Sequence, residues 1–385
     1  MHEHLGNEAS LASKIKDQLA SQIKVLEQFE EFEKFHVELN TMVSELTANW
    51  LHGHKMSFTT FDPDNYFHSL RLMPITNNEI SSLSEMGSGQ RQILTITFAY
   101  VLAKVLHNNL LLIIEEPELH LHPLAQGWLA SSITKLCNDS LQILISTHSP
   151  EFVDILGFEG LVCVRSNDGK TLTRQRTIRD FVSEVKQMHA HPTKTSEETI
   201  LPYYASSCTK EILSGLFGQK VVLVEGQTEQ LSLPVLLKKV GLDTMRDGIS
   251  VISVMGKTNL AKWWRFFQIF DYRVYLIFDK DKPGTDNYDR NNEIFATLNL
   301  DKSVVDNVLK SDAWFVGSTF SVFHPDFEGS MQQSFSNYSA LEAEASSQFG
   351  DSKPIAARYA ASRLEFSEND AKAKLVDLAS KIKNL

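Results

Sequence analysis

The chain has 385 residues, enough for two domains or one large one, and its 42% hydrophobic and 22% charged content is that of a folded globular protein rather than a disordered one. A formal charge of −11 argues against indiscriminate wrapping of nucleic acid over the whole surface, while leaving room for a local groove or for phosphate contacts made through metal ions. Cys137, Cys163 and Cys208 share no metal-binding spacing, no apolar run approaches membrane-spanning length, and MHEHLGNEAS lacks the regions of a signal peptide, so a reducing, cytoplasmic location without membrane contact is expected.

Leu11, Ile15, Leu19, Ile23, Leu26, Phe29, Phe32 and Phe35 recur at helical spacing through residues 8–50 without Gly or Pro. This predicts one long amphipathic helix or a helical hairpin, packed either on the core or on a second subunit. Residues 56–75, around Asp-Pro-Asp, read as sheet, and a helix is predicted over 93–105 after SGQRQ. LLLII (110–114) and QILIS (142–146) read as buried strands, and LVCVRS and TLTRQRT flank Asn-Asp-Gly as a hairpin. Residues 184–208 are polar and mixed and read as a linker or loose helix. From Lys220 a new rhythm begins: KVVLVEG strand, helix to Val240, GISVISVMG strand, LAKWWRFFQIF helix, RVYLIFDKDKP strand. Buried strands alternating with helices predict a parallel sheet, with a domain boundary near 210–218.

Two constellations carry chemistry. In the first, LLIIEEPELHLHP (111–123) delivers Glu115 and Glu116 to the C-terminal end of a strand, where ligands sit in open α/β sheets. A carboxylate at the first position can hold the water shell of Mg²⁺, and one at the second can orient an attacking water. Two glutamates merely ending a strand before Pro117 is the plainer alternative. Upstream, MGSGQRQ (86–92) sets Gly87, Ser88, Gly89 and Gln90 in a Gly-rich turn opening a helix, an anion site because free N–H groups point at the ligand. Downstream, ILISTHSP puts His148 just past the next strand, where a neutral imidazole can sense a terminal phosphate.

The order and spacing of these parts resemble ABC-type ATPases, with glutamate at 115 where aspartate is usual and Gly87 where the signature usually has serine. A phosphate loop of the GxxxxGK[ST] kind is missing from the sequence. Gly256-Lys257-Thr258 has Val251 at the position of the first glycine and follows the double glutamate instead of preceding it, so it is unrelated to nucleotide binding. The expectation is an incomplete or composite ATP site, as in a fragment, a truncated reading frame, or half of a split protein whose loop comes from a separate chain.

In the second constellation, KVVLVEGQTE places Glu225 at a strand end, Gly226 in the turn and Glu229 four residues beyond Glu225. YLIFDKDKP carries Asp279 and Asp281, which two apart on a strand point to the same face. Such carboxylates can hold one or two Mg²⁺ or Mn²⁺, and a pair of ions about 3.5–4 Å apart stabilises both the attacking and the leaving oxygen of a phosphodiester. VEGxxE followed by a strand ending DxD resembles the topoisomerase-primase (TOPRIM) domain.

An ATPase part followed by TOPRIM resembles the OLD (overcoming lysogenisation defect) family. The resemblance implies an α/β chain: a helical dimerisation segment (1–55), the back half of an ABC-type ATPase (56–215), and a TOPRIM nuclease domain with a central parallel sheet flanked by helices (216–385). It implies a metal-dependent DNA endonuclease or nickase, acting as a homodimer in phage defence or DNA processing, with the ATPase region regulating it. Glu225 would be general acid/base or metal ligand, Asp279 and Asp281 metal ligands, and Glu229 their support. Glu328, beside Asp326 in STFSVFHPDFEGSM, would be a further acid for a second metal. Lys353 would stand beside the scissile phosphate, a solvent lysine before a helix-starting proline being the equal alternative. Gly256 and Lys257 would approach the metal site or a DNA phosphate. KWWRFF (262–267) interleaves basic and aromatic residues as base-stacking sites do, but inside a helix between strands core packing is favoured. His120, His122, His189 and His191 form two HxH pairs: by the resemblance HLHP stands in place of the ATPase D-loop and would touch an opposing subunit, while for HAH a plain surface role is favoured over adventitious metal binding. The rival readings are a non-hydrolytic dimerisation scaffold and a RecF-like repair factor that binds DNA without cutting.

Overall fold

The structure, a computed structural model, describes residues 17–18, 21, 30–46, 54–58, 70–76, 79–80, 86–105, 111–136, 142–167, 169–189, 195–367 and 371–385. The predicted helix over 8–29 lies outside the described residues apart from 17–18 and 21, as do Cys137, His191 and 59–69 of the predicted sheet. Two compact units result, Met1–Phe152 and Val153–Leu385. Among the described residues no helix is long and apolar enough to cross a membrane.

The first unit contains α1 (Glu30–Leu46), β1 (His54–Phe58), β2 (Leu70–Thr76), β3 (Glu79–Ile80), α2 (Ser88–Val105), β4 (Leu111–Glu115), α3 (Pro123–Leu136) and β5 (Gln142–Ser146). Phe35, Leu39, Met42 and Val43, one face of α1 at helical spacing, pack with Ile93, Leu94, Tyr100 and Val101 of α2 and Leu129 and Ile133 of α3. Proline at the first position of α3 costs no hydrogen bond and presets its backbone. β1 and β2 fall in or beside the stretch that reads as sheet and pair antiparallel, and β4 pairs parallel with β5. The expectation that these last two strands are buried on both faces is not met. Leu112, Ile114, Ile143 and Ile145 face the core, but Leu111, Ile113 and Leu144 on the alternate positions are 53%, 60% and 53% exposed. A strand's side chains alternate between faces, and one face of this pair lies open.

The second unit begins with the antiparallel hairpin β6 (Cys163–Asn167) and β7 (Lys170–Arg174), as predicted. α4 (Ile178–Gln187) follows, started by a capping box in which Thr177 and Asp180 satisfy each other's backbone amides. α5 (Ile200–Ala205) and α6 (Lys210–Ser214) come next. Far from a linker, this stretch is core: Ile200, Leu201, Tyr204 and Ile212 are buried with Phe158, Phe181 and Phe266. The compact units therefore part well before the composition change near 210–218.

β8 (Lys220–Val224), α7 (Gln227–Lys239), β9 (Ile249–Ser253), α8 (Leu260–Ile269) and β10 (Arg273–Asp279) continue the chain. After α9 (Asp286–Thr297) and α10 (Lys302–Lys310) come β11 (Phe315–Val316), β12 (Phe320–Phe323), α11 (Phe327–Ser334), α12 (Tyr338–Phe349), α13 (Lys353–Arg363) and α14 (Lys372–Lys383). The sheet order is β11-β12-β10-β8-β9. β9, β8, β10 and β12 run parallel and β11 antiparallel. Residues 221–224 are buried on both sides because helices cover both faces, which is why they read as an unbroken apolar run. One core holds Trp263, Phe266, Phe267 and Phe270 with Val221, Leu223 and Leu276; the other holds Val222, Val224, Tyr275 and Ile277 with α7, α13 and α14. KWWRFF is thus core, and its cations are buried as well. Lys262 donates to Ser207 Oγ at 2.6 Å and lies 4.1 Å from the Tyr203 ring, while Arg265 donates to the Met188 and His189 carbonyls.

Candidate functional sites

In the first unit the double-glutamate loop, the Gly-rich helix start and the strand-end histidine meet. α2 opens at Ser88, so Gly89 and Gln90 lie within its first turn, and the Gly87 amide donates to Gln90 Oε1 at 3.2 Å. A Cβ on Gly89 would stand 2.6 Å from the His120 carbonyl oxygen, so glycine is what lets the helix start touch the loop after β4. Glu115 ends β4. Glu116 has φ 43, a conformation unusual for a non-glycine residue, and its carbonyl accepts from Gln92 Nε2 at 3.1 Å. His148 Nε2 lies 4.0 Å from Glu116 Oε1, both side chains being exposed. Sequence reasoning missed Glu118, whose Oε1 accepts from the His148 amide at 2.6 Å and whose other oxygen is buried without a hydrogen-bond partner. It also missed Gln126, which links Ser149 Oγ (2.8 Å) to the Leu121 carbonyl (3.1 Å). EEPE contains the first signal; Gln126 has none.

In the second unit the parallel strands deliver acids to one edge of the sheet. Glu225 follows β8, and Glu229, in the first turn of α7, accepts from the Gly226 amide at 3.0 Å. Asp279 ends β10. After β12, Asp326 caps α11 by accepting from the Gly329 amide at 2.8 Å, and Glu328 stands in that first turn. Lys353 at the start of α13 reaches Glu328 at 3.9 Å with its side chain 76% exposed. Asp281 corrects the expectation of strand alternation. β10 stops at Asp279, and Asp281 sits in a turn at φ 61, where its carboxylate meets Lys257 Nζ at 2.6 Å. Lys257 is buried, 3% exposed, and also donates to the Asp279 carbonyl. It turns inward from Gly256, whose φ of 119 suits only glycine and whose amide donates to the Glu225 carbonyl at 2.8 Å.

The electrostatics are those of like charges gathered in a low-dielectric corner. Burial raises the Glu225 carboxyl from 4.5 to about 7, with Asp281 and Glu229 adding to the rise and Lys257 opposing it. Burial raises Glu229 too, helped by Glu328 and Asp326. Asp279 is pushed well above its usual range by burial first, then by Glu229, Glu225, Asp326 and Glu328. Glu225 Oε2 and Asp279 Oδ1 are buried with no hydrogen-bond partner. Among the described residues no group of three or more His, Cys, Asp or Glu is arranged to hold a metal ion as placed. Buried, unpartnered carboxylate oxygens amid further acids nevertheless fit a hard divalent cation, which takes oxygen ligands and would remove the cost of gathering them.

Residues 6–153 match the family described as AAA ATPase domain. Residues 216–281 match the family described as overcoming lysogenization defect protein-like, TOPRIM domain. The chain is 26% identical over 239 residues to the Old nuclease of Escherichia phage P2, covering 59% of this chain and 39% of that protein. It is 26% identical over 262 residues to the OLD nuclease of Thermus scotoductus, covering 66% of this chain and 47% of that protein. The chain thus spans less than half the length of these curated relatives. The C-terminal region of the Burkholderia pseudomallei OLD protein is similar at 16% identity and a TM-score of 0.35, over 44% of this chain and 98% of that one, a likeness too weak to bear weight.

Proposed function

We propose that this chain, an AAA-type ATPase segment followed by an OLD-like TOPRIM domain, is a nuclease of the OLD kind whose carboxylate edge hydrolyses DNA phosphodiesters with Mg²⁺ or Mn²⁺. The observation that carries the reading is the pair of buried, unpartnered oxygens on Glu225 and Asp279 with Glu229, Asp281 and Glu328 about them. Those acids would hold one or two ions. A bound ion there supplies charge stabilisation to a reacting phosphate and lowers the proton affinity of water. Glu225, kept protonatable near neutrality by burial, suits a general acid or base. Lys353, exposed at the rim beside Glu328, can offset charge that develops on the phosphate. Asp281 is already held by Lys257, and so contributes one oxygen where a free carboxylate would contribute two.

In the ATPase segment Gly87, Ser88, Gly89 and Gln90 would face a nucleotide phosphate, and Glu115, Glu116 and His148 the ion and water beside it. Without a lysine-bearing loop in the sequence this is part of an ATP site, suited to regulation or to homodimerisation across bound ATP. The exposed Leu111, Ile113 and Leu144 favour a second reading of that segment, a scaffold that pairs with another polypeptide. The test is relaxation of supercoiled plasmid in Mg²⁺ or Mn²⁺ without ATP, wild type against Asp279→Ala. Nicking or linearisation by the wild type, lost in the variant, supports the nuclease. Equal inertness of the two would refute cleavage by this chain acting alone.

A further inference from the structure

We propose that Lys257 is a positioning residue of the carboxylate edge: its ammonium, shut between the ends of β9 and β10, fixes the Asp281 carboxylate and the turn that carries it, so that Asp279 and Asp281 present oxygens to a divalent cation. The inference rests on the metal-site reading above. Lysine is almost never fully buried unless paired, and this one is 3% exposed. Its Nζ donates to Asp281 Oδ2 at 2.6 Å and to the Asp279 carbonyl, and lies 5.7 Å from the centre of the Phe278 ring. A sealed ammonium has no path to a DNA phosphate, which corrects one of the two sequence expectations for it.

The turn is held by a division of labour. Backbone bonds fix the chain: the Lys280 amide to the Phe323 carbonyl and the Asp281 amide to the Pro325 carbonyl, each at 2.8 Å. Asn291 Nδ2 adds a bond to the Lys280 carbonyl at 2.8 Å. None of these orients the Asp281 side chain, which leaves a residue at φ 61 rather than a strand and so cannot take its direction from strand pleating. The bond from Lys257 supplies that direction. Lys257 is itself aimed by Gly256, whose amide is tied to the Glu225 carbonyl, so one short segment couples the ends of three adjacent strands. Groups that orient metal ligands from behind typically govern metal affinity by about 10–100-fold.

The opposite role is a counter-charge that competes with the cation, and the two roles predict opposite signs. Mn²⁺ binding to the whole chain, read from the electron paramagnetic resonance of free Mn²⁺, separates them for wild type, Lys257→Met, Asp281→Asn and the double variant. Positioning predicts that each single change weakens Mn²⁺ by about tenfold or more, and that the double variant binds no more weakly than Asp281→Asn, because the lysine acts through that aspartate. Wild-type or tighter binding by Lys257→Met, or losses that add, overturns the role while leaving the metal site standing. Failure of the wild type to bind Mn²⁺ overturns the metal-site reading and this role with it. If Lys257→Met does not fold, judged by circular dichroism in EDTA, Lys257→Arg replaces it. Arginine keeps the charge but replaces the compact ammonium with a bulkier planar group, and must still weaken Mn²⁺; unchanged binding overturns the role.

Discussion

Replacing Glu225 by glutamine should stabilise the metal-free protein, even though the residue is placed at the heart of the site. Its carboxyl is raised from 4.5 to about 7, chiefly by burial. The folded state therefore holds the proton more tightly than the unfolded chain does. The stabilising contribution is fully present below about pH 4.5 and is lost as pH rises through about 7. At about 1.4 kcal/mol per tenfold change in proton affinity, the loss is about 3 kcal/mol by pH 8. Glutamine keeps the shape and never ionises, so it escapes that loss. In a unit the size of Val153–Leu385 the gain corresponds to a melting temperature higher by roughly 6–12 °C. Thermal melts followed by circular dichroism, in EDTA at pH 4.5 and pH 8, read it directly. The variant should match wild type at the lower pH and exceed it at the higher. Saturating Mg²⁺ should narrow or reverse the gap, since a cation that binds only the folded wild type stabilises it by mass action. An equal or lower melting temperature for the variant at pH 8 in EDTA would refute the view that these acids are held together at a cost.

Trp263→Ala should lower stability by about 3–5 kcal/mol, as for a large aromatic removed from a core, because the ring is wholly buried against Tyr204 and Phe266. Single-stranded DNA binding per folded molecule, measured by fluorescence anisotropy, should be unchanged; a selective loss of binding would restore the base-stacking alternative. ATP turnover by this chain, followed by phosphate release, should stay at buffer background and be indifferent to Glu116→Gln, since no lysine-bearing loop is present to hold the terminal phosphates. Turnover at about 1 s⁻¹ or more, abolished by that change, would contradict it.

The parallel sheet was legible because 221–224 and 274–278 are unbroken apolar runs separated by helical stretches, and a run buried on both faces has little alternative. Glu225 and Asp279 were legible for the same reason: strand ends are where such runs stop and acids begin. Asp281 was not, because the two-residue period applies only while the strand lasts, and β10 ends at Asp279. The burial of Lys257 depends on how three strand ends close over it, which no local pattern encodes. Polar neighbours between 184 and 208 masked Ile200, Leu201 and Tyr204, whose spacing is helical and whose burial comes from α8. Leu111, Ile113 and Leu144 read as buried because an apolar run says that a surface wants cover, not that it has any.

The packing of 153–215 against α8 bears on how this architecture can be cut and exchanged. The TOPRIM-like match ends at 216 on one side and 281 on the other, yet neither point is a seam. A cut before 216 strips Phe158, Phe181 and Tyr204 from Phe266 and Phe270, parting tilted and edge-on rings whose centres lie 5.6–6.3 Å apart. A cut after 281 removes β12 and turns β10 into a bare edge. The portion that recombination or an engineer could move intact is therefore the whole stretch from Val153 onward, several times longer than the motif by which it is identified.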